Sequence, residues 1–295
     1  MRLLLNALAI ISILTSFQSC KKVIEIDLPL SDSKVVVNSF FTDNSQIKVH
    51  LSKSIGVLDN QIPDCNDATV LLLNDNVIID TFYVARGYYY SHLKADRGKE
   101  YSLIITVPDM DSVLCGDFIP EKTIIQSYTF TDSVMTDEDG FSINELQLDF
   151  TDLTGPNYYE VELSAESVSQ NQINKLGVWF KKNSDPIIIS TGLLDYNPKT
   201  LIFTDKMFDG KSCSVKVYFA VQTVVSEYTL KIIFRSISES YFNYKEKQFA
   251  YLFSLESDIF SGMSEPIQLY SNITGGYGIF AGYSSDEKVI NVTAR

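Results

Sequence analysis

The chain has 295 residues, 45% of them hydrophobic and 12% aromatic, with 17 Tyr and 18 Phe against one Trp. Its 24 basic and 37 acidic side chains leave a net charge of −13, which argues against nucleic acid as a partner and against electrostatic adhesion to anionic lipid. The length exceeds what one small core needs and suits two domains, and the aromatic-rich composition suits twisted sheets rather than helices.

The first twenty residues read as a secretory signal: Arg2, an apolar run from Leu3 to Leu14, then Ser16-Phe17-Gln18-Ser19-Cys20. The apolar run is too short to span a bilayer stably. Phe17-Gln18-Ser19-Cys20 has the form of a loose bacterial lipobox, so residues 1–19 are expected to be removed and Cys20 to be diacylated and N-acylated, which anchors a protein stably. The alternative is an ordinary secreted protein cut near Ser19, with Cys20 a plain thiol. Removing residues 1–19 takes away one charge, Arg2, and leaves 23 basic against 37 acidic side chains, a net of −14 in 276 residues. Residues 20–33 then form a short polar tether from the lipid, with Lys21, Lys22, Glu25, Asp27 and Pro29.

From Lys34 the pattern predicts an all-β chain. Strands are expected at 34–41, 46–52, 68–73, 77–82, 88–93, 101–107 and 113–119, with Ile47, Val49 and Leu51 alternating against Lys48, His50 and Ser52. Asn74-Asp75-Asn76 is a turn composition that tolerates positive φ and predicts a hairpin. Seven short strands within about ninety residues is the pattern of an immunoglobulin-like β-sandwich over 34–120. A second, larger β domain is expected over 121–295, with strands at 124–130, 145–151, 158–164, 177–181, 186–190, 200–203, 214–222 and 228–236. One amphipathic helix follows near 237–257, opened by Ser236-x-x-Glu239 as a capping box and striped by Phe242, Phe249, Leu252 and Phe253. The bland role for a lone helix is to cover a sheet end or edge.

Few residues carry chemistry. Once Cys20 is acylated, Cys65, Cys115 and Cys213 remain, without C-x-x-C spacing and with only two His in the chain, which argues against a zinc site. Export permits a disulfide, and Cys65 with Cys115 is the candidate pair; three free thiols is the alternative. His50 and His92 sit in no H-E-x-x-H, and no G-x-S-x-G elbow is present. Glu160 and Glu162 read as wet-face charges rather than a glycosidase pair. Asp137-Glu138-Asp139-Gly140 fails the EF-hand register, because Met135 and Leu146 fall at ligand positions, and reads as an acidic loop. Gly275-Gly276-x-Gly278 does not open a phosphate-binding helix and suggests a turn or bulge. The sequons at Asn272 and Asn291 carry little weight in a bacterial chain. Tyr88-Tyr89-Tyr90 and Tyr158-Tyr159 could serve sugars or peptides, but adjacent strand residues face opposite ways, so core packing is the default. No catalytic residue, cofactor or metal ligand is assigned.

Asp205-Lys-Met-Phe-Asp-Gly210, the helix opening Ser236-Ile-Ser-Glu239 with Tyr241 and Tyr244, and above all Glu265-Pro266-Ile267-x-x-Tyr270-Ser271-Asn272-Ile273-x-Gly275-Gly276-x-Gly278-Ile279-Phe280 resemble the Bacteroidota lipoprotein family known as domain of unknown function 4249. Cys20, Ile26-Asp27-Leu28-Pro29 and Lys34-Val35-Val36-Val37 agree with it, so the resemblance covers the mature chain. One departure is Tyr277, where a smaller aliphatic residue is expected. The resemblance implies a lipoprotein of the cell envelope, commonly encoded beside SusC-like TonB-dependent receptors, and hence an accessory role in nutrient uptake; it supplies no catalytic residues. The expectation is a lipid-anchored, non-catalytic binding or accessory subunit at the outer membrane. A surface hydrolase of glycan or peptide and a structural adhesion protein are the alternatives.

Overall fold

The computed structural model of the chain describes residues 32–56, 59, 61–169, 172–181, 185–189, 199–222, 227–256 and 267–293. The signal, Cys20 and the tether up to residue 31 lie outside them. Alternating apolar and polar side chains set the strands of the first half: β1 (Val35–Thr42), β2 (Gln46–Lys53), β3 (Thr69–Asn74), β4 (Val77–Thr81), β5 (Tyr83–Ala85), β6 (Tyr88–Lys94), β7 (Glu100–Thr106) and β8 (Val113–Phe118). The β3–β4 hairpin closes through Asp75 and Asn76 at φ 49° and 61°, the two left-handed positions of a type I′ turn. The second half adds β9 (Ser127–Thr136), β10 (Ser142–Thr151), β11 (Tyr158–Ser169), β12 (Gln172–Phe180), β13 (Thr200–Thr204), β14 (Ser212–Gln222), β15 (Glu227–Ile237) and β16 (Tyr277–Thr293). Two helices are described, α1 (Pro186–Ile189) and α2 (Glu239–Glu256). Among the described residues no helix is long and apolar enough to cross a membrane.

The all-β expectation holds, with two sheets. A four-stranded sheet runs β4-β3-β7-β8, and a larger one runs β5-β6-β2-β1-β16-β15-β11-β12-β14-β10-β9, with β13 also paired to β11. In the first half the two sheets enclose a core that includes Val37, Val49, Leu51, Leu103, Ile105 and Phe280. In the second half the large sheet turns on itself. The first part of β12 pairs with the end of β11, while Gly177 to Phe180 pair with β14, so β12 carries the sheet around a corner. Phe150 on β10 thereby meets Phe234 on β15 at 4.8 Å and Tyr159 on β11 at 5.3 Å, in the middle of the second core.

The two cores separate near the expected boundary at residue 120, except that Ile273 and Phe280 join the first; the large sheet is continuous across the boundary, and residues 33–295 form one compact unit. The continuity comes from β16, a 17-residue strand absent from the expected pattern. It runs parallel to β1 from Val36↔Tyr277 to Thr42↔Tyr283, and antiparallel to β15 from Ile237↔Tyr283 to Glu227↔Thr293. Near its start, Ile279 to Gly282 are all buried because both faces of the sheet are covered there, and that erases the period-two signal. Gly278, at φ 107°, lies so close to its partner on β1 that a Cβ would sit 1.9 Å from the Val37 carbonyl oxygen. The glycine run is thus a close strand-on-strand approach rather than a turn alone.

Other departures are local. Residues 186–189, expected as strand, form one helical turn: Pro186 begins it, and the Ile187 amide donates to Asp185 Oδ1 at 3.0 Å. The run Ile187-Ile188-Ile189 imitates a strand, but the Asp-Pro pair ahead of it sets a helical start. β9 begins at Ser127 rather than 124, because Thr123 and Ile125 donate their amides to Ser236 Oγ and Asp286 Oδ2 of the large sheet instead of to a neighbouring strand. The α2 cap is Ser238, not Ser236: its Oγ accepts the Tyr241 amide at 3.2 Å, while Ser236 is still within β15. Tyr241 and Phe242 are the buried anchors of α2; Phe249 is half-buried and Leu252 exposed.

Candidate binding face

The large sheet turns one face to the two cores and one outward, and α2 covers only part of the outward face. Under α2 lie Glu160 and Tyr158 of β11, Arg235 and Ile237 of β15, Ile279, Ala281 and Tyr283 of β16, and Phe40 of β1, whose ring meets Tyr241 at 4.7 Å and Tyr244 at 5.7 Å. Beyond β1 the outward face is open. Strand register places Lys48 beside Tyr90 and Tyr90 beside Tyr83, with Asn38 beside His50 and the His50 ring against Tyr88 in a second row.

These side chains brace one another. Tyr83 stacks on Tyr90 at 5.7 Å and meets His92 at 4.9 Å; His50 lies 5.3 Å from Tyr88; Lys48 Nζ sits 3.6 Å from the Tyr88 ring centre. Asp80 fixes His92 through Nδ1 at 3.0 Å and through its backbone amide at 2.6 Å, and Asp64 holds His50 Nε2 at 3.2 Å. Burial opposes ionisation of Asp80, but the hydrogen bonds from His92 and Thr81 outweigh it and keep the carboxyl below its ordinary value. The row leads into a groove of about 360 Å³ between the C-terminal half of α2 and β1, lined by Val36, Asn38, Tyr244, Tyr251, Leu269 and Tyr277, among others. Lys34 Nζ lies 5.4 Å from the Tyr277 ring centre, and Tyr277 forms part of the groove wall.

The default reading of the tyrosine runs is therefore half right. Tyr89 and Tyr159 are core residues, whereas Tyr88 and Tyr90, two apart, share the open face, and the short edge strand β5 completes it with Tyr83. The signal was the i, i+2 spacing itself; what the sequence hid was β5, a three-residue strand with no pattern of its own.

Elsewhere the carboxylates have partners of their own. Glu160, read as a wet-face charge, is 0% exposed: Arg235 Nη1 lies 2.6 Å from its Oε2, Tyr241 donates to the same oxygen at 2.8 Å, and Lys245 Nζ is 3.5 Å from Oε1. Its strand alternates correctly, but α2 covers the face that would otherwise be wet. Glu162, partly exposed, pairs with Arg235 Nη2 at 2.6 Å. Burial, and then the Glu160 charge, pushes the Tyr241 phenol well above its ordinary value. Asp117 of β8 accepts hydrogen bonds from Ser238 Oγ and from the Gly282 amide at 3.0 Å, tying the small sheet to the start of α2 and to β16; burial raises its pKa to about 6. Asp152, Asp205 and Asp209 bring one carboxylate oxygen each within 4.8 Å of the others, and among the described residues this is a group that could hold a cation. Each already fixes loop backbone, Asp152 the Gly210 amide, Asp205 the Asn157 amide and Asp209 the Gly155 amide. Asp137 caps its own turn through the Phe141 and Asp139 amides and pairs with Lys181 at 2.5 Å, as an acidic loop does.

Cys65, Cys115 and Cys213 are free thiols, so the candidate disulfide is not formed although Cys65 and Cys115 share the first core. Cys115 points inward from β8 and Cys65 packs under β2, each as a small apolar side chain. Burial raises all three pKa values, Cys115 to about 12 and Cys213 to about 11, which leaves them inert as nucleophiles. The Asn272 side chain bonds both the Phe280 carbonyl and the Phe280 amide, so that sequon serves the fold.

No curated protein matches the chain. Among solved structures, the full-length RrgB pilus protein of Streptococcus pneumoniae aligns at 9% identity over 69% of this chain and 48% of its own, about half its length, with a TM-score of 0.21. A structure containing manganese lipoxygenase of Gaeumannomyces graminis and part of zonadhesin of Komagataella pastoris aligns at 11% identity over 90% of this chain and 97% of its own, with a TM-score of 0.20. The family model described as "Domain of unknown function (DUF4249)" matches residues 21–289, and the chain belongs to that family.

Proposed function

We propose that the protein is a non-catalytic binding subunit of the cell envelope, held at the outer membrane by acylated Cys20 and serving a TonB-dependent uptake receptor. The observation that carries the binding part is the open aromatic face with its groove, where rigid, mutually braced rings present hydrogen-bonding tips. The anchor is supported by the Leu3–Leu14 apolar run ending at Cys20, and the receptor by the resemblance set out above. Cross-linking in intact cells followed by purification of the chain tests the partner: a receptor barrel should co-purify, and its absence from every cross-linked product contradicts the assignment.

A second reading, a surface hydrolase, draws on the Asp152, Asp205 and Asp209 trio. It requires that Asp205→Asn and Asp209→Asn abolish a measurable hydrolysis of glycan or peptide; no hydrolysis by the unaltered chain removes it.

A further inference from the structure

We propose that the open face takes a neutral glycan chain lying across β1, β2, β6 and β5, with one end in the groove beside Tyr244 and Tyr277, an inference that rests on the binding-subunit reading. Three inter-strand steps separate β1 from β5, about 14 Å, so the occupant is extended and crosses the strands rather than running along them. A peptide that joins a sheet does so along an edge, through main-chain hydrogen bonds; this face offers side-chain tips instead. Polyanions are disfavoured by the net charge of −13 and, locally, by Asp64 and Asp80, which offset Lys48 and the two imidazoles.

What remains is a ligand with apolar ring faces and many neutral hydroxyls. Tyrosines supply the apolar surface and the phenol tips, while Asn38, His50 and His92 supply directional partners. The groove volume of about 360 Å³ lies in the range of small-ligand sites. Because Tyr83, Tyr90, His92 and Tyr88 already stack or tilt against one another or against Lys48, little side-chain freedom is lost when a sugar docks.

The test is calorimetric titration of the purified chain with maltohexaose, cellohexaose, xylohexaose and mannohexaose, and with hexagalacturonate as the anionic comparison. The expected result is saturable binding of at least one neutral hexasaccharide, weakened at least about tenfold by Tyr88→Ala and by Tyr277→Ala and unchanged by Tyr128→Ala on the distant strand β9. Both altered tyrosines are surface residues, and an unchanged melting curve verifies the fold. No saturable binding of any neutral hexasaccharide, binding of hexagalacturonate alone, or binding indifferent to both Tyr88→Ala and Tyr277→Ala overturns the inference. Receptor capture is read separately in cells, so a negative titration beside a positive cross-link overturns the glycan inference and leaves the subunit reading intact.

Discussion

Asp117 shows how one side chain joins three elements and what that costs. Its carboxylate receives the Ser238 hydroxyl and the Gly282 amide, yet burial outweighs them and lifts its pKa from 3.8 to about 6. A carboxyl whose folded pKa is raised contributes stability that is fully present below about pH 3.8 and is lost as pH rises through about 6. The gap is worth about 3 kcal/mol at most. Asp117→Asn keeps an acceptor for both donors and cannot ionise, so its stability relative to the unaltered chain should improve by up to about 3 kcal/mol between pH 3.5 and 8, read by chemical denaturation; a pH-independent difference refutes the assignment. Glu160 makes the complementary case. Glu160→Ala leaves Arg235 with only the partly exposed Glu162 and should cost about 3 kcal/mol, whereas Glu162→Ala should cost about 1 kcal/mol or less. Equal losses in the two variants would place Glu160 in solvent. Neither role was legible in the sequence: the alternation of Tyr159, Val161 and Leu163 correctly put Glu160 on the opposite face, but only tertiary structure puts a helix over that face.

At the scale of elements, most strands of the first half were legible because one face of each is dry and the other polar, and the β3–β4 turn was legible from Asn and Asp alone. The element that joins the halves was not, because β16 is buried on both faces over Ile279 to Gly282, where it pairs with β1 before it pairs with β15 from Tyr283 onward, and so carries no alternation there. Its glycines carried the information in another form, as close approach. Gly278→Ala should therefore be strongly destabilising, by about 3 kcal/mol or more, since it combines a left-handed φ with a Cβ placed against the Val37 carbonyl. By contrast Gly140→Ala, which has a left-handed φ but nothing within 4 Å of the added Cβ, should cost about 1 kcal/mol. Thermal melts of the two variants separate strand approach from turn strain; equal shifts would mean that β16 does not approach β1 as closely as described. The helix start was legible only to within one turn, because Ser236 and Ser238 both offer a hydroxyl, and the strand register that keeps Ser236 in β15 is not a local property.

For the molecule as a whole, the large sheet is the scaffold and carries the proposed binding surface: α2 seals its outward face over β11, β15 and β16, and the same face emerges past β1 as the braced row of Tyr90, Tyr83 and Tyr88. Half of that candidate site could be read from Tyr88 and Tyr90 two residues apart; the rest required β5 and the groove walls, which bring together residues as far apart in the chain as Val36 and Tyr277. On the proposed function, a face holding a ligand beside a transporter would gain from being kept at the membrane, where tethering raises its effective concentration near a receptor. The account therefore turns on Cys20. Partition of the full chain between washed membranes and the soluble fraction, for the natural sequence and for Cys20→Ser, tests it most directly. The natural chain should remain with membranes after a high-salt and carbonate wash, and Cys20→Ser should leave them as a folded protein with the same melting curve; a Cys20→Ser chain retained in washed membranes to the same extent would contradict the lipid anchor.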